Sequence, residues 1–490
     1  MSDTLAEPRV KDEHSPSKSW LIVCALLALV LIGAARLKGG YIDEYWTMSF
    51  ADSSVPLQRA FQAWSMDTGH PIGFYVISRI GDLVLAPDIF IRRLANLLFF
   101  GLALLWAWAA GKRYRAFGLI YVTAVAASPY VVERFAEYRA SFLALMITSV
   151  IVIRMRAIVD ADVPRRSDFI AIALLMAALG LSDYPVAIAG LALCGALALL
   201  SLLQRDRSIF MLAAGGIAAC LLVVALSVAN AARFPMYASP YHQSFAGLAR
   251  DLAVVLVTAA LPCIVIASLA LFHLVRAPVS ALQLIMRDRF NQLLIVSLAL
   301  MLLSFILING ATHGLIRRQL FGVIPIAIAL LLNLSWPYFR LRPAILGMIA
   351  LNILGVSAAT AYYLKSKVNF DRFGEQMAQA QRACPTLPIY AVLPDRITGN
   401  TTNPFPIPNQ VALGFRDVAR RHGFKIRGDF PTAWIDPQCG AIIWSEYLWM
   451  SGKPSPQQLA RRLGLEESPL ATATTEYVDQ SLLMRVAPPR

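Results

Sequence analysis

Asp43 and Glu44 stand side by side in "GGYIDEYWTMSF" (39–50), directly after the apolar run "WLIVCALLALVLIGAA" (20–35). A carboxylate held beside an incoming hydroxyl or amine can take its proton as a general base. Three further polar sets stand at the ends of apolar runs. "YVVERFAEYRASF" (130–142) holds Glu133, Arg134, Glu137 and Arg139, with the two glutamates four apart and so on one helical face. "THGLIRRQLFGVIP" (312–325) carries His313, Arg317 and Arg318, and "GHPIGFY" (69–75) places His70 ahead of a proline. Arginines grip phosphate oxygens in a two-pronged manner and neutralise charge gathering on a leaving phosphate. In isolation, the acid pair also fits a solvated loop, and the second set fits local ion pairing at a helix end.

The elements that position these residues follow from composition. The chain has 490 residues, 58% hydrophobic and 15% charged, with a mean hydropathy of +0.59. Soluble domains carry roughly 45–50% apolar and about 25% charged residues. Apolar runs lie at about 20–37, 93–110, 117–132, 140–153, 168–182, 185–203, 208–229, 252–273, 292–309, 320–336 and 343–363. The expected fold is a polytopic α-helical membrane protein with about 11 transmembrane helices. A β-barrel would show alternation, and none is visible. The net charge of +14 falls mostly in short loops, so membrane topology accounts for it and a nucleic-acid partner is not expected. The first run follows about 18 polar residues and lacks a small-residue cleavage site, which reads as a retained anchor.

Basic residues set the expected orientation. The loops at 111–115, 154–168, 204–207, 273–289 and 338–342 are all basic and fall on one face when the runs alternate. That face is expected to be cytoplasmic, together with the tail 1–18. A transmembrane catalytic domain then spans 19–363, with a first outer loop at 38–92. "PIGFYVISRIGDLVLAP" (71–87) contains Arg79 and Asp82 and reads as an interfacial or re-entrant helix. Residues 364–490 hold no spanning run and read as a small extracytoplasmic α/β domain. Its expected strands are 387–394, 439–447 and 481–488, and its expected helices are 373–384, 410–424 and 454–465. Cys384 and Cys439 could pair if that domain lies outside the cytoplasm, while Cys24, Cys194, Cys220 and Cys263 fall within apolar runs as core residues.

All four polar sets then face one leaflet, which suits transfer of a sugar from a polyprenyl-phosphate donor in a single displacement with inversion. In "DEYW" (43–46), "HPIGFY" (70–75), "IRRLANLLFFG" (91–101), "SPYVVERFAEYRASF" (128–142) and "RRQLFGVIP" (317–325) the chain resembles the large-membrane GT-C glycosyltransferases. The branch with protein O-mannosyltransferases and the lipid A aminoarabinose transferase fits best. The resemblance implies Asp43 as catalytic base, with Glu44 beside it for acceptor positioning or support. It implies Glu137 and Arg139 in the "E-x-R" places, Arg317 or Arg318 on the donor phosphate, and His70 as substrate contact or structural residue. Glu133 and His313 complete the expected substrate-binding set. The implied acceptor is a lipid, glycan or protein outside a bacterial inner membrane, with membrane lipids around the chain. Departures are present: Ile72 replaces the second proline of "HPP", Arg134 is displaced relative to "SREAR", and Gln319 replaces the tyrosine of "RY".

Two other readings stay open at this point. A transporter or flippase of lipid-linked glycans would place charges mid-span and show repeats, and neither is evident. A ligase-like or polymerase-like enzyme would use a long late outer loop, for which 230–251 is a modest candidate. No cofactor is required by the inverting step, although Asp43, Glu44, Glu133 and Glu137 could hold Mg²⁺ or Mn²⁺ through oxygen.

Overall fold

The structure, a computed structural model, describes residues 16–67, 70–161, 163–231, 243–276, 287–312, 314–339, 343–365, 371–393, 405–431, 433–446, 455–465, 473–478 and 481–488. Its first nine helices are α1 (Pro16–Leu37), α2 (Ile42–Ala51), α3 (Leu57–Met66), α4 (Ile72–Val84), α5 (Ile89–Arg93), α6 (Ala95–Ala109), α7 (Lys112–Ala127), α8 (Pro129–Phe135) and α9 (Ala140–Val159). Helices Arg166–Ser182, Tyr184–Gln204, Arg207–Ala231, Phe245–Ala260, Ile264–Arg276, Arg289–Thr312, Val323–Phe339 and Pro343–Leu364 follow.

Every expected apolar run is largely helical. Among the described residues, eight helices are long and apolar enough to cross a membrane, or nine if the bent pair α7 and α8 counts as one span. Arg166–Ser182 has 17 residues, about 25 Å of rise against a hydrocarbon core of about 30 Å. Val323–Phe339 has 17 residues as well. The run at 117–132 breaks, and its two halves meet at 78°. Pro129 opens α8, and Ser128 before it is extended at φ −59°, ψ 133°, because a residue preceding proline is disfavoured in the helical region.

The bundle turns apolar side chains outward as lipid-facing helices do. Ile22 and Leu29 of α1 and Leu98 and Leu105 of α6 are well exposed. The last long helix, Pro343–Leu364, packs back along α1. Helix α4 has 13 residues, too few to cross, as its charges lead one to expect. It buries Phe74 and Tyr75 and exposes Ile80, Leu83 and Val84, which is the division of faces of a helix lying in an interface.

Beyond Pro343–Leu364, four strands form one sheet in the order β1-β2-β4-β3. They are β1 (Ile389–Val392), β2 (Ala441–Glu446), β3 (Thr474–Val478) and β4 (Ser481–Val486). β1 runs parallel to β2, with Ile389 opposite Ile442. The β2–β4 and β3–β4 pairs are antiparallel. β3 is the strand missed from sequence, because "TTEYV" carries few apolar residues. Helices Arg372–Ala383, Gln410–His422 and Pro456–Leu463 accompany the sheet. Gln410–His422 stops at Gly423, whose φ of +73° is open to glycine at little cost. Cys384 and Cys439 are joined as a disulfide, with Cα atoms 6.1 Å apart.

This sheet does not stand free of the bundle. Ile42 and Tyr45 of α2, with Ile89, share one buried cluster with Phe373, Phe415, Trp444 and Leu483. The stretch 38–92 is therefore the floor on which the C-terminal part rests.

Candidate active site

The first turn of α2 carries both acids, and successive helix residues point about 100° apart. Asp43 and Glu44 therefore leave the helix in different directions. Asp43 turns to the open side, with its side chain 29% exposed. Its Oδ2 accepts from Arg139 Nη1 at 2.7 Å and from Arg318 Nη1 at 2.9 Å. Arg139 is the residue just before α9, and Arg318 lies in the short turn Arg317–Leu320. Burial by itself would push the Asp43 carboxyl up, but the two guanidiniums outweigh it and hold the group below its usual range.

Glu44 turns inward and has no exposed surface. Its oxygens accept from Arg93 Nε at 2.8 Å and Nη2 at 2.7 Å, from the Tyr138 amide at 2.8 Å and from the Tyr41 amide at 3.1 Å. Arg93 also donates to the carbonyls of Ala35, Lys38 and Gly39. One buried fork thus ties the end of α1, the start of α2 and the 136–139 turn together. Glu44, expected beside Asp43 as a second acid of the site, is thus buried and held by the fork, on the side away from the one Asp43 faces.

Asn96 of α6 fixes the same turn, since its amide donates to the carbonyls of Phe135 and Glu137 at 2.9 Å each. Glu137 is buried and ion-paired to Lys38 and to Arg134 Nη1, the latter at 2.6 Å. Burial presses its carboxyl up, and Arg134 and Lys38 overcome that and keep it ionised. Glu133 pairs with Arg134 at 3.2 Å. These groups form a charged underlayer beside the site rather than its surface.

His70 sits between two partners. Its Nε2 lies 2.9 Å from Arg139 Nη2, and its Nδ1 lies 3.1 Å from Asp67 Oδ2. A guanidinium can only donate, so Nε2 accepts and the ring proton resides on Nδ1, facing Asp67. Asp67 also accepts from Tyr75 Oη at 2.5 Å and Trp46 Nε1 at 3.3 Å. His70 therefore links Arg139 to Asp67. Arg317 diverges from its neighbour and binds Asp251, with Nη2 at 2.7 Å and Nε at 3.1 Å. His313 lies outside the described residues.

The structure brings Asp43, Arg139, His70 and Arg318 together and leaves Arg317 apart. Asp43, Glu44, Glu133 and Glu137 each face cationic side chains, and among the described residues no group of three or more His, Cys, Asp or Glu could hold a metal ion. Arg93, Lys38, Asp67 and Asp251 escaped the sequence reading. Arg93 alone had a visible signal, a cation within "IRRLAN" at the end of an apolar run.

No protein-family model matches the chain, and no curated protein sequence matches it. Its fold is similar to the crystal structure of ArnT from Cupriavidus metallidurans bound to undecaprenyl phosphate, with 14% identity and a TM-score of 0.52. The match covers 97% of this chain and 100% of that one. The likeness extends through the helical bundle and the C-terminal sheet, so the chain is an integral membrane protein with the GT-C fold that its motifs resemble.

Proposed function

We propose that the chain is a membrane glycosyltransferase that moves a sugar from a polyprenyl-phosphate donor to a lipid, glycan or protein acceptor. The observation that carries this reading is the Arg318–Asp43–Arg139 constellation. It places a carboxylate able to take a proton beside a half-exposed arginine able to take a phosphate. The fold shared with a structure holding undecaprenyl phosphate supports the donor class.

In the proposed step the acceptor O–H gives its proton to Asp43 while its oxygen bonds the anomeric carbon. The bond from that carbon to the phosphate oxygen breaks, and its electron pair leaves on the phosphate, where Arg318 neutralises it. Attack opposite the phosphate inverts the anomeric centre. No covalent sugar–enzyme intermediate and no metal ion enter the step.

This geometry separates Asp43 from Arg318, because the sugar ring lies between base and leaving phosphate. The 2.9 Å contact therefore belongs to the substrate-free protein. Arg318, with its side chain 42% exposed, is free to move to the phosphate, whereas Arg139, at 10%, stays with Asp43. Removing one cation from Asp43 raises its proton affinity. Donor binding thus strengthens the base that it needs.

The disulfide Cys384–Cys439 supports an extracytoplasmic C-terminal part, and with it a periplasmic active site at a bacterial inner membrane. The test is transfer of label from radiolabelled polyprenyl-phosphate sugars by purified protein in membranes. Transfer by the native chain and its loss in Asp43→Asn is the expected result. Full transfer by the variant would end the base assignment, and no transfer from any such donor would end the reading.

A further inference from the structure

The C-terminal part touches α2 through charges as well as apolar packing. The Gly40 amide donates to Asp371 Oδ2 at 2.8 Å, and Tyr45 Oη donates to Asp417 Oδ2 at 2.8 Å. Arg421 ties these acceptors together, with Nη1 2.5 Å from Asp371 Oδ1 and Nε 2.8 Å from Asp417 Oδ2. His422 Nε2 adds a contact to Asp371 Oδ1 at 3.1 Å. The residues so held, Gly40 and Tyr45, bracket Asp43. A methyl at Gly40 would overlap the Tyr45 ring, so the two held points also pack on each other.

We propose that Asp371 and Asp417 are positioning residues, which aim the Asp43 carboxylate by fixing the first turn of α2 from outside. The inference rests on the reading of Asp43 as base. On the inner side the Glu44–Arg93 fork holds the same turn, so α2 is gripped on two faces with Asp43 between them. Apolar contact of Ile42 and Tyr45 already joins the two parts. It does not fix rotation, because dispersion and burial have little directionality. Hydrogen bonds to charged acceptors do. A rotation of about 10° at a side-chain radius of about 5 Å displaces the carboxylate by roughly 1 Å. Such a misplacement at a reacting centre can cost about 10²-fold.

The test uses the full chain in lipid discs with Asp371→Ala, Asp371→Asn and Tyr45→Phe. Asp371→Ala is expected to lower kcat about 10- to 100-fold, with donor KM within about twofold of native. Asp371→Asn recovers part of the loss, since its amide oxygen still accepts from Gly40. The acid limb of the kcat profile moves in Asp371→Ala, because the distance of Asp43 from Arg139 changes. Amide exchange over residues 40–47 quickens in Asp371→Ala and Tyr45→Phe while α9 keeps its native rate. Native exchange over 40–47 in both variants, or native kcat in both, would overturn the inference. So would a loss of kcat with an unmoved pH profile. If the native chain transfers no sugar, the functional reading fails alone, and exchange at 40–47 still decides whether the C-terminal part holds α2.

Discussion

Asp43 and Arg318 lie 275 residues apart in the chain and meet at 2.9 Å. One stands where the first long helix gives way to α2, the other in a short turn before Val323–Phe339. A half-exposed ion pair of this kind contributes little to stability, about 0–1 kcal/mol. Its interest lies in what each partner would release to a substrate in the proposed step: a base on one side, a phosphate ligand on the other. Arg139 is lodged between Asp43 and His70, and in the proposed step it keeps the base aimed when the first partner departs.

Asp43→Asn keeps the shape of the side chain and removes both charge and basicity. Transfer is expected to fall about 10²- to 10⁴-fold in kcat. Binding of polyprenyl phosphate is retained or tightens, because Arg318 loses its competitor. Label transfer and equilibrium binding measure the two effects separately. A variant that loses both together would place Asp43 in donor binding instead.

The two adjacent arginines should separate cleanly. Arg318→Ala raises donor KM and lowers kcat/KM by about 10²-fold, the scale of a charge-assisted phosphate contact. Arg317→Ala breaks the pair with Asp251 and the contact with Tyr130, in which the arginine side chain is 42% exposed, and leaves kcat/KM within about threefold of native. Steady-state kinetics on both variants decide it. Equal losses would show that the turn, and not one side chain, binds the donor.

The depressed Asp43 carboxyl sets a pH dependence. In the free protein the group stays charged to a pH below the ordinary value of about 3.9. The acid limb of kcat/KM is expected there, and the limb of kcat lies higher, since donor binding draws Arg318 away. Stability follows the same sign: the contribution of Asp43's ion pairs is complete above its unfolded pKa and is lost as pH falls through the lowered one. Arg139→Gln removes the first of the two cations and moves the kcat/KM limb upward. A limb that stays put in this variant contradicts the electrostatic account.

Asp371 gives a second acid-sensitive element, outside the spans. Burial would raise its carboxyl, but His422 and Arg421 hold it down at about 2 from a reference of 3.8. That difference corresponds to roughly 2 kcal/mol, present above the unfolded value and lost as pH falls towards 2. Exchange over residues 40–47 is expected to quicken across that window in the native chain and to be fast already at neutral pH in Asp371→Ala. A native profile without acid sensitivity would remove Asp371 from the account.

Spans were legible because charge-free stretches of membrane length are a strong, local signal. Asp43 and Arg318, which the fold brings together, drew notice because charges at the ends of apolar runs stand against the surrounding composition. The break at Ser128 was equally available in "SPY", yet hydropathy alone ran through it. Arg93, Asp371 and Asp417 were not legible as partners of α2. Each is an ordinary charge in a polar setting, and nothing in the spacing joins Gly40 to Asp371 across 331 residues. The opposite directions in which Asp43 and Glu44 point were hidden too, since adjacency in sequence conceals the turn between successive helical side chains.

Glu44 and Asp43 are neighbours whose substitution should fail in different ways. Glu44→Gln leaves the Arg93 guanidinium fully buried beside a neutral amide. Breaking a buried pair by removing one charge costs about 3–5 kcal/mol. The expected result is a lowered unfolding temperature and a smaller monodisperse fraction in size-exclusion chromatography. Activity per folded molecule stays within about tenfold of native, and the acid limb does not move, because in the proposed step Glu44 touches no reacting atom. Arg93→Lys should not rescue stability, since a point-charge ammonium cannot reproduce the two-pronged contact. Native thermal stability in Glu44→Gln combined with loss of kcat would reverse the assignment and make Glu44 the reacting carboxylate.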